Sequence, residues 1–228
     1  MAATALIDYL PVVTTFVAFG FAVVLYRHWQ RNPGARHLLW WTVGVITFGL
    51  GTLTEAAVAL WGWHPWLFRA WYISGALLGG APLAQGTVYL VHTRRTADRL
   101  AVALVGFVAA AATFVLLTPV TPMASDPGLL TGRVMGWSWV RAFTPFVNTY
   151  AVGYLVGGAA WSALRHRRAG GDGSGRAIGN ALIALGGLAP AVGGLFTRFG
   201  RTQVLSGTLL VGLVLIWLGY RRIEADKR

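Results

Sequence analysis

The sequence predicts an all-α fold: a polytopic membrane protein built as one bundle of seven transmembrane helices. Three observations predict it. Apolar runs as long as the ~20 residues a helix needs to cross hydrocarbon recur along the whole 228-residue chain. Only 11% of the residues are charged, less than half of the roughly 25% typical of soluble domains, so polar surface to face water is missing. The basic residues also gather in short clusters between the runs, where loops would lie.

The runs cover 5–26, 38–60, 67–91, 100–118, 139–164, 177–197 and 203–220. Asp8 stands at the head of the first, no Lys or Arg precedes it, and no small-residue cleavage site follows. It therefore reads as a retained span and not as a signal peptide. The second and third runs form a hairpin through the aromatic turn Trp61-Gly62-Trp63-His64-Pro65-Trp66. Pro119, Pro122, Pro127 and Gly128 predict an irregular connection from Pro119 to Val134, and the stretch Ala169 to Gly175 reads as a flexible glycine-rich loop. Pro82, Pro145 and Pro190 interrupt the third, fifth and sixth runs and free backbone carbonyls there. Gly75 with Gly79, Gly153 with Gly157, and Gly186 with Pro190 and Gly194 are small-residue pairs that allow close helix approach. Tyr26-Arg27-His28 and Leu164-Arg165-His166 each close a run, and Gly49-Leu50-Gly51 has a counterpart in Gly186-Gly187-Leu188. This faint self-similarity fits a 3+1+3 parallel repeat.

Most of the 19 basic residues fall on one side of such a bundle: Arg27, Arg31 and Arg36; Arg94, Arg95 and Arg99; Arg165, Arg167, Arg168 and Arg176; Arg221, Arg222, Lys227 and Arg228. The positive-inside rule makes that side cytoplasmic, with the C-terminus inside, the N-terminus outside and an inner-membrane location. Trp61, Trp63, Trp66, Trp137 and Trp139 mark the outer boundary. The same clustering argues against nucleic acid as the partner of the +12 net charge, because no basic face runs along an element. With no cysteine, disulfides and thiolate metal sites are excluded. The five histidines make no i, i+4 pair inside a run, and no nucleophile stands beside a base. No enzyme and no metal site are expected.

Glu55 is the one carboxylate deep inside a run. Burying it is costly, so it should face the bundle interior with a partner. A hairpin centred on Gly62 aims it at Arg69, with Arg141 of the fifth run as an alternative. Structural ion pairing and a ligand-binding or proton-accepting role are both open. Arg69, Arg133, Arg141, Arg198 and Arg201 leave an excess of positive charge at the outer mouth, which could attract an anion. Ser74, Gln85 and Tyr89 lie along the third run, the last two on one face at a spacing of four. Asn148 follows Arg141 by two turns and should point the same way. The predicted ligand-binding set is Glu55, Arg69, Arg141, Tyr72, Gln85 and Asn148.

The seven-span topology is similar to that of microbial rhodopsins. The lysine that holds retinal covalently in that family is absent from 203–220, the only lysine being Lys227, so covalent retinal is excluded. Trp41, Glu55, the stretch Arg69-Ala70-Trp71-Tyr72-Ile73-Ser74-Gly75, Pro82 and Tyr89 to Arg94 resemble the second and third spans of seven-helix sensor regions ahead of bacterial histidine kinases and cyclases. That resemblance implies sensing of a ligand or of the membrane state. No kinase or cyclase domain is recognisable in the 228 residues, so a signal should pass to a separate protein partner. The expected function is non-covalent binding of a small apolar or anionic molecule within the bundle. A polyene, quinone or lipid could sit in a pocket lined by Trp71, Tyr72 and Trp217. An accessory subunit of a larger membrane complex and a small proton-coupled transporter using Glu55 are the alternatives.

Overall fold

The computed structural model describes residues 9–122, 130–169, 174–198 and 203–226. Residues 5–8 of the first predicted span, Asp126, most of the glycine-rich loop, Arg201 and Lys227 lie outside the described residues. Nine α-helices are described: α1 Leu10–Arg31, α2 Arg36–Trp61, α3 Pro65–Trp71, α4 Ala81–Val91, α5 Arg94–Leu117, α6 Phe143–Ala151, α7 Gly158–Ala169, α8 Ser174–Arg198 and α9 Gln203–Ala225. The only β-pairing among the described residues is an isolated bridge between Val120 and Met135 in the predicted irregular connection.

Local sequence explains the boundaries. Gly62 ends α2 with φ +86 and ψ 172, a backbone region essentially reserved for glycine. α3 starts almost at once. Pro65 occupies its first turn, where a missing N–H costs nothing, and His64 Nδ1 accepts from the Trp66 N–H at 3.3 Å. The hairpin centred on Gly62 is therefore present. Thr93 caps α5 by accepting from the Thr96 N–H at 3.4 Å.

The third and fifth predicted spans are not continuous α-helices. After α3 the backbone widens into a π-turn, Tyr72–Leu77, and then breaks over 78–80 before α4 resumes. Pro82 in the first turn of α4 brings no N–H to the Leu78 carbonyl; the Thr47 hydroxyl of α2 donates to it at 3.2 Å instead. The fifth segment opens with the 3₁₀ turn Ser138–Ala142 and carries a second π-turn, Val152–Gly157, between α6 and α7. As a result five helices among the described residues are, by length and composition, long and apolar enough to cross a membrane: α1, α2, α5 and the greater parts of α8 and α9.

The helices pack as a ring. α1 lies on α2, α2 on the 65–91 segment, that segment on 143–169, 143–169 on α8, α8 on α9, and α9 back on α1. α5 stands outside the ring, against α4, the first π-turn and the 3₁₀ turn at 138–142. The tightest pair is α8 with α9. A Cβ added to Gly186 would come within 2.5 Å of the Gly212 carbonyl oxygen, and one on Gly219 within 2.5 Å of that of Gly179. Backbone meets backbone at two points seven residues apart on each helix, which is how small residues join helices in lipid. Two apolar cores result. One gathers Phe21, Leu25, Val45, Leu83 and Leu213 around α1, α2 and α9; the other binds α5 to the Gly62 end through Phe68, Leu77, Val115, Val140 and Val147. Large apolar side chains also cover the outside, with Phe16 74% and Val102 75% exposed. A surface of that kind suits hydrocarbon and not water.

Candidate functional site

A cavity of about 720 Å³ lies inside the ring, between α2, the 65–91 and 143–169 segments, α8 and α9. Its volume falls in the range of sites for small molecules. Much of its wall is main chain, because glycines from four elements face it: Gly51 on α2, Gly75, Gly79 and Gly80 on 65–91, Gly186, Gly187 and Gly194 on α8, and Gly212 on α9. Both π-turns contribute, through Gly75 and Ala76 in one and Val152 and Leu155 in the other. Such turns recur at functional sites because they displace backbone from its regular position.

The polar side chains that line it gather toward the end nearest Gly62. Glu55 enters from α2 and accepts a hydrogen bond on Oε1 from the Ser206 hydroxyl of α9 at 2.7 Å. Its other carboxyl oxygen takes no hydrogen bond among the described residues. Thr52, one turn deeper, shares a hydrogen bond with Thr15 of α1 at 2.9 Å and also donates to the Gly49 carbonyl. Thr144 is engaged with the Tyr72 hydroxyl at 2.6 Å. Asn148 lines the cavity one turn further in. Beyond it the lining is apolar: Val45, Leu83, Leu155 and Ile216.

The structure brings only part of the predicted set together. Glu55 and Asn148 face the cavity, and Tyr72 reaches it through Thr144. Gln85 is fully buried beside the cavity. It donates to the Ala97 carbonyl of α5 at 3.0 Å and accepts from the Tyr150 hydroxyl, so it ties three segments together. Tyr89, four residues on, reaches α5 as well, through Asp98 at 2.6 Å. The expected Glu55–Arg69 pair is not formed. Both residues sit at similar depth, but Glu55 turns toward α9 whereas Arg69 turns toward the end of α5. There its Nη2 donates to the Thr118 carbonyl at 3.0 Å and its guanidinium lies 5.1 Å from the centre of the Trp66 ring. Arg141 points away from Asn148, because it belongs to the 3₁₀ turn, whose rotation per residue differs from that of the α-helix. Its Nε donates to the Ser138 carbonyl at 3.1 Å. Neither arginine lines the cavity. Arg133 is exposed, and the side chains of Arg198 and Arg201 lie outside the described residues. Trp71 lines the cavity as expected, whereas Trp217 stacks on Phe21 at 5.4 Å, outside it. Ser206 and Thr144 were missed; each is one hydroxyl in an apolar run, and nothing in the run distinguishes it.

A second cleft, about 900 Å³, opens at the arginine-bearing end between α2, α4, α7, α8 and α9. Its lining residues Tyr220, Glu224 and Arg176 are engaged with neighbours just outside it. His28 Nδ1 lies 2.5 Å from the Tyr220 hydroxyl and 3.5 Å from Glu224, and Arg176 pairs with Asp226 at 3.5 Å. Among the described residues no group of histidines and carboxylates could hold a metal ion. No protein-family model, curated protein or solved structure matches the chain.

Proposed function

We propose that the chain is a seven-span, sensor-like protein of an inner membrane that binds a small apolar molecule non-covalently in the cavity between its helices. The observation that carries this reading is the cavity: about 720 Å³ within the ring, aliphatic and backbone walls, and a few polar groups at one end. The 65–91 and 143–169 segments then complete the seven spans, each crossing in two pieces. Interrupted helices are tolerated at membrane depth where the break faces protein or a cavity, and both π-turns face this one. The positive-inside rule supports a cytoplasmic C-terminus, since Arg27, Arg31, Arg36, Arg94, Arg95, Arg99, Arg221 and Arg222 share one end of the bundle. α2 and α8, counterparts in the 3+1+3 repeat, both present glycine to the cavity.

Action is by population shift. An occupant that binds one packing of the ring better than another draws the protein toward it. α9 contacts the cavity and is joined at its far end to α1 through His28 and Tyr220, and to α8 through Arg176 and Asp226. It is the element that carries the difference to a partner on the cytoplasmic side or within the membrane. The test is native mass spectrometry, with an absorbance spectrum, of protein extracted gently from its own membrane. One bound small molecule per chain is expected. A bundle that is bare, or that carries only other polypeptides, overturns the reading, the second in favour of an accessory subunit.

A further inference from the structure

We infer that the cavity takes a one-headed apolar amphiphile whose head donates a hydrogen bond to Glu55, namely a long-chain alcohol or amine; this rests on the ligand-binding reading above. Length and polarity carry the inference. Along α2 the lining runs from Val45 to Glu55; these ten steps at 1.5 Å of rise make the cavity about 15 Å long. Its polar side chains all sit toward the Gly62 end, so a second polar group at the other end of a ligand would lie against the side chains of Val45, Leu83 and Ile216. Burying such a group without a partner costs roughly 2–7 kcal/mol.

The chemistry of the head follows from which groups are already engaged. Thr52 bonds Thr15, Thr144 bonds Tyr72, and Ser206 donates to Glu55 Oε1. Among the described residues nothing bonds the second Glu55 oxygen, and that carboxyl stands at the Gly62 end of an apolar chamber with no Arg, Lys or His among the described lining residues. An anionic head placed there would meet the Glu55 carboxyl with no cationic side chain among the described lining residues. A hydroxyl or ammonium head can donate a hydrogen bond to that oxygen, and the Asn148 amide, which also lines the cavity, can accept or donate.

The experiment compares dodecanol, dodecylamine, dodecanoate and 2-dodecanone, which share an apolar chain and differ at the head. Their binding to the full-length protein in nanodiscs is read by native mass spectrometry. Dodecanol and dodecylamine should bind about tenfold more tightly than dodecanoate or the ketone. Glu55→Leu should weaken both and erase the ranking. Ser206→Ala, which leaves both carboxyl oxygens in place, should preserve it and serves if Glu55→Leu fails to fold. Leu209→Trp, which fills the chamber, should abolish binding of all four. If all four bind equally, if dodecanoate or the ketone leads, or if Glu55→Leu keeps the ranking, this inference falls while the cavity reading stands. If none binds, or if Leu209→Trp leaves binding unchanged, the cavity reading falls with it.

Discussion

Gln85 and Tyr150 offer the sharpest energetic test of the helix arrangement. Gln85 has no exposed surface, accepts from Tyr150 across the gap to α6, and donates to the Ala97 carbonyl of α5 at 3.0 Å. Replacement by Leu removes both bonds and strands the half-buried tyrosine hydroxyl. Interhelical hydrogen bonds in membrane proteins are worth about 0.6 kcal/mol on average and up to about 1.7, and a stranded buried polar group adds about 1–3. Gln85→Leu should thus cost about 2–3 kcal/mol. Tyr150→Phe removes one bond and leaves the Gln85 Oε1 without it, for about 1–2 kcal/mol. The double variant leaves no orphan at either end and should cost about 1 kcal/mol less than the sum of the two. Reversible unfolding in mixed micelles, followed by circular dichroism across a dodecyl sulfate titration, measures all four corners of the cycle. Additivity within about 0.3–0.5 kcal/mol would refute the contact and with it the packing of 65–91 on 143–169.

Three other outcomes follow from the same geometry. Gly212→Leu drives a side chain toward the Gly186 carbonyl, so it should cost about 1–3 kcal/mol by overpacking and lower the thermal midpoint; an unchanged midpoint would contradict the α8–α9 contact. Asp98→Asn loses the partly exposed pair with Arg36, so it should lower the unfolding midpoint far less than Gln85→Leu does. That loss should shrink at high salt, and a salt-independent loss as large as that of Gln85→Leu would show the pair to be shielded. Thr47→Val takes the donor from the Leu78 carbonyl that Pro82 cannot serve, so about 1 kcal/mol should be lost; a neutral result in the same titration would mean that the carbonyl finds another donor.

The sequence made depth legible, and it left rotation obscure. Depth in a helix grows by a fixed rise per residue, so the Gly62 turn, the level of Glu55 and the arginine-bearing end could all be placed from spacing alone. Gln85 and Tyr89, four apart within α4, do share a face, because no irregularity separates them. Rotation accumulates every local change of winding. Arg141 and Asn148 were expected to point together, but the 3₁₀ turn between them spoils the 100° count. The two π-turns have no sequence signature beyond glycine and nearby proline, so the seven apolar runs appear as five uninterrupted helices and two broken segments. The partner of Glu55 escaped for a further reason. Ring closure, which brings α9 to α2, is a long-range event, and a lone serine in an apolar run gives no hint of it.

The glycine walls have a mechanical consequence. A chamber lined by side chains can adapt to its occupant by rotamer changes, absorbing a poor fit without disturbing the scaffold. Where the lining is main chain, as at Gly75, Gly79, Gly186 and Gly187, no such slack exists. Against those walls a thicker occupant is admitted by moving a helix as a body, and the void beside a thinner one closes in the same way. Such a bundle works as a gauge, turning the dimensions of what it holds into the positions of its helices.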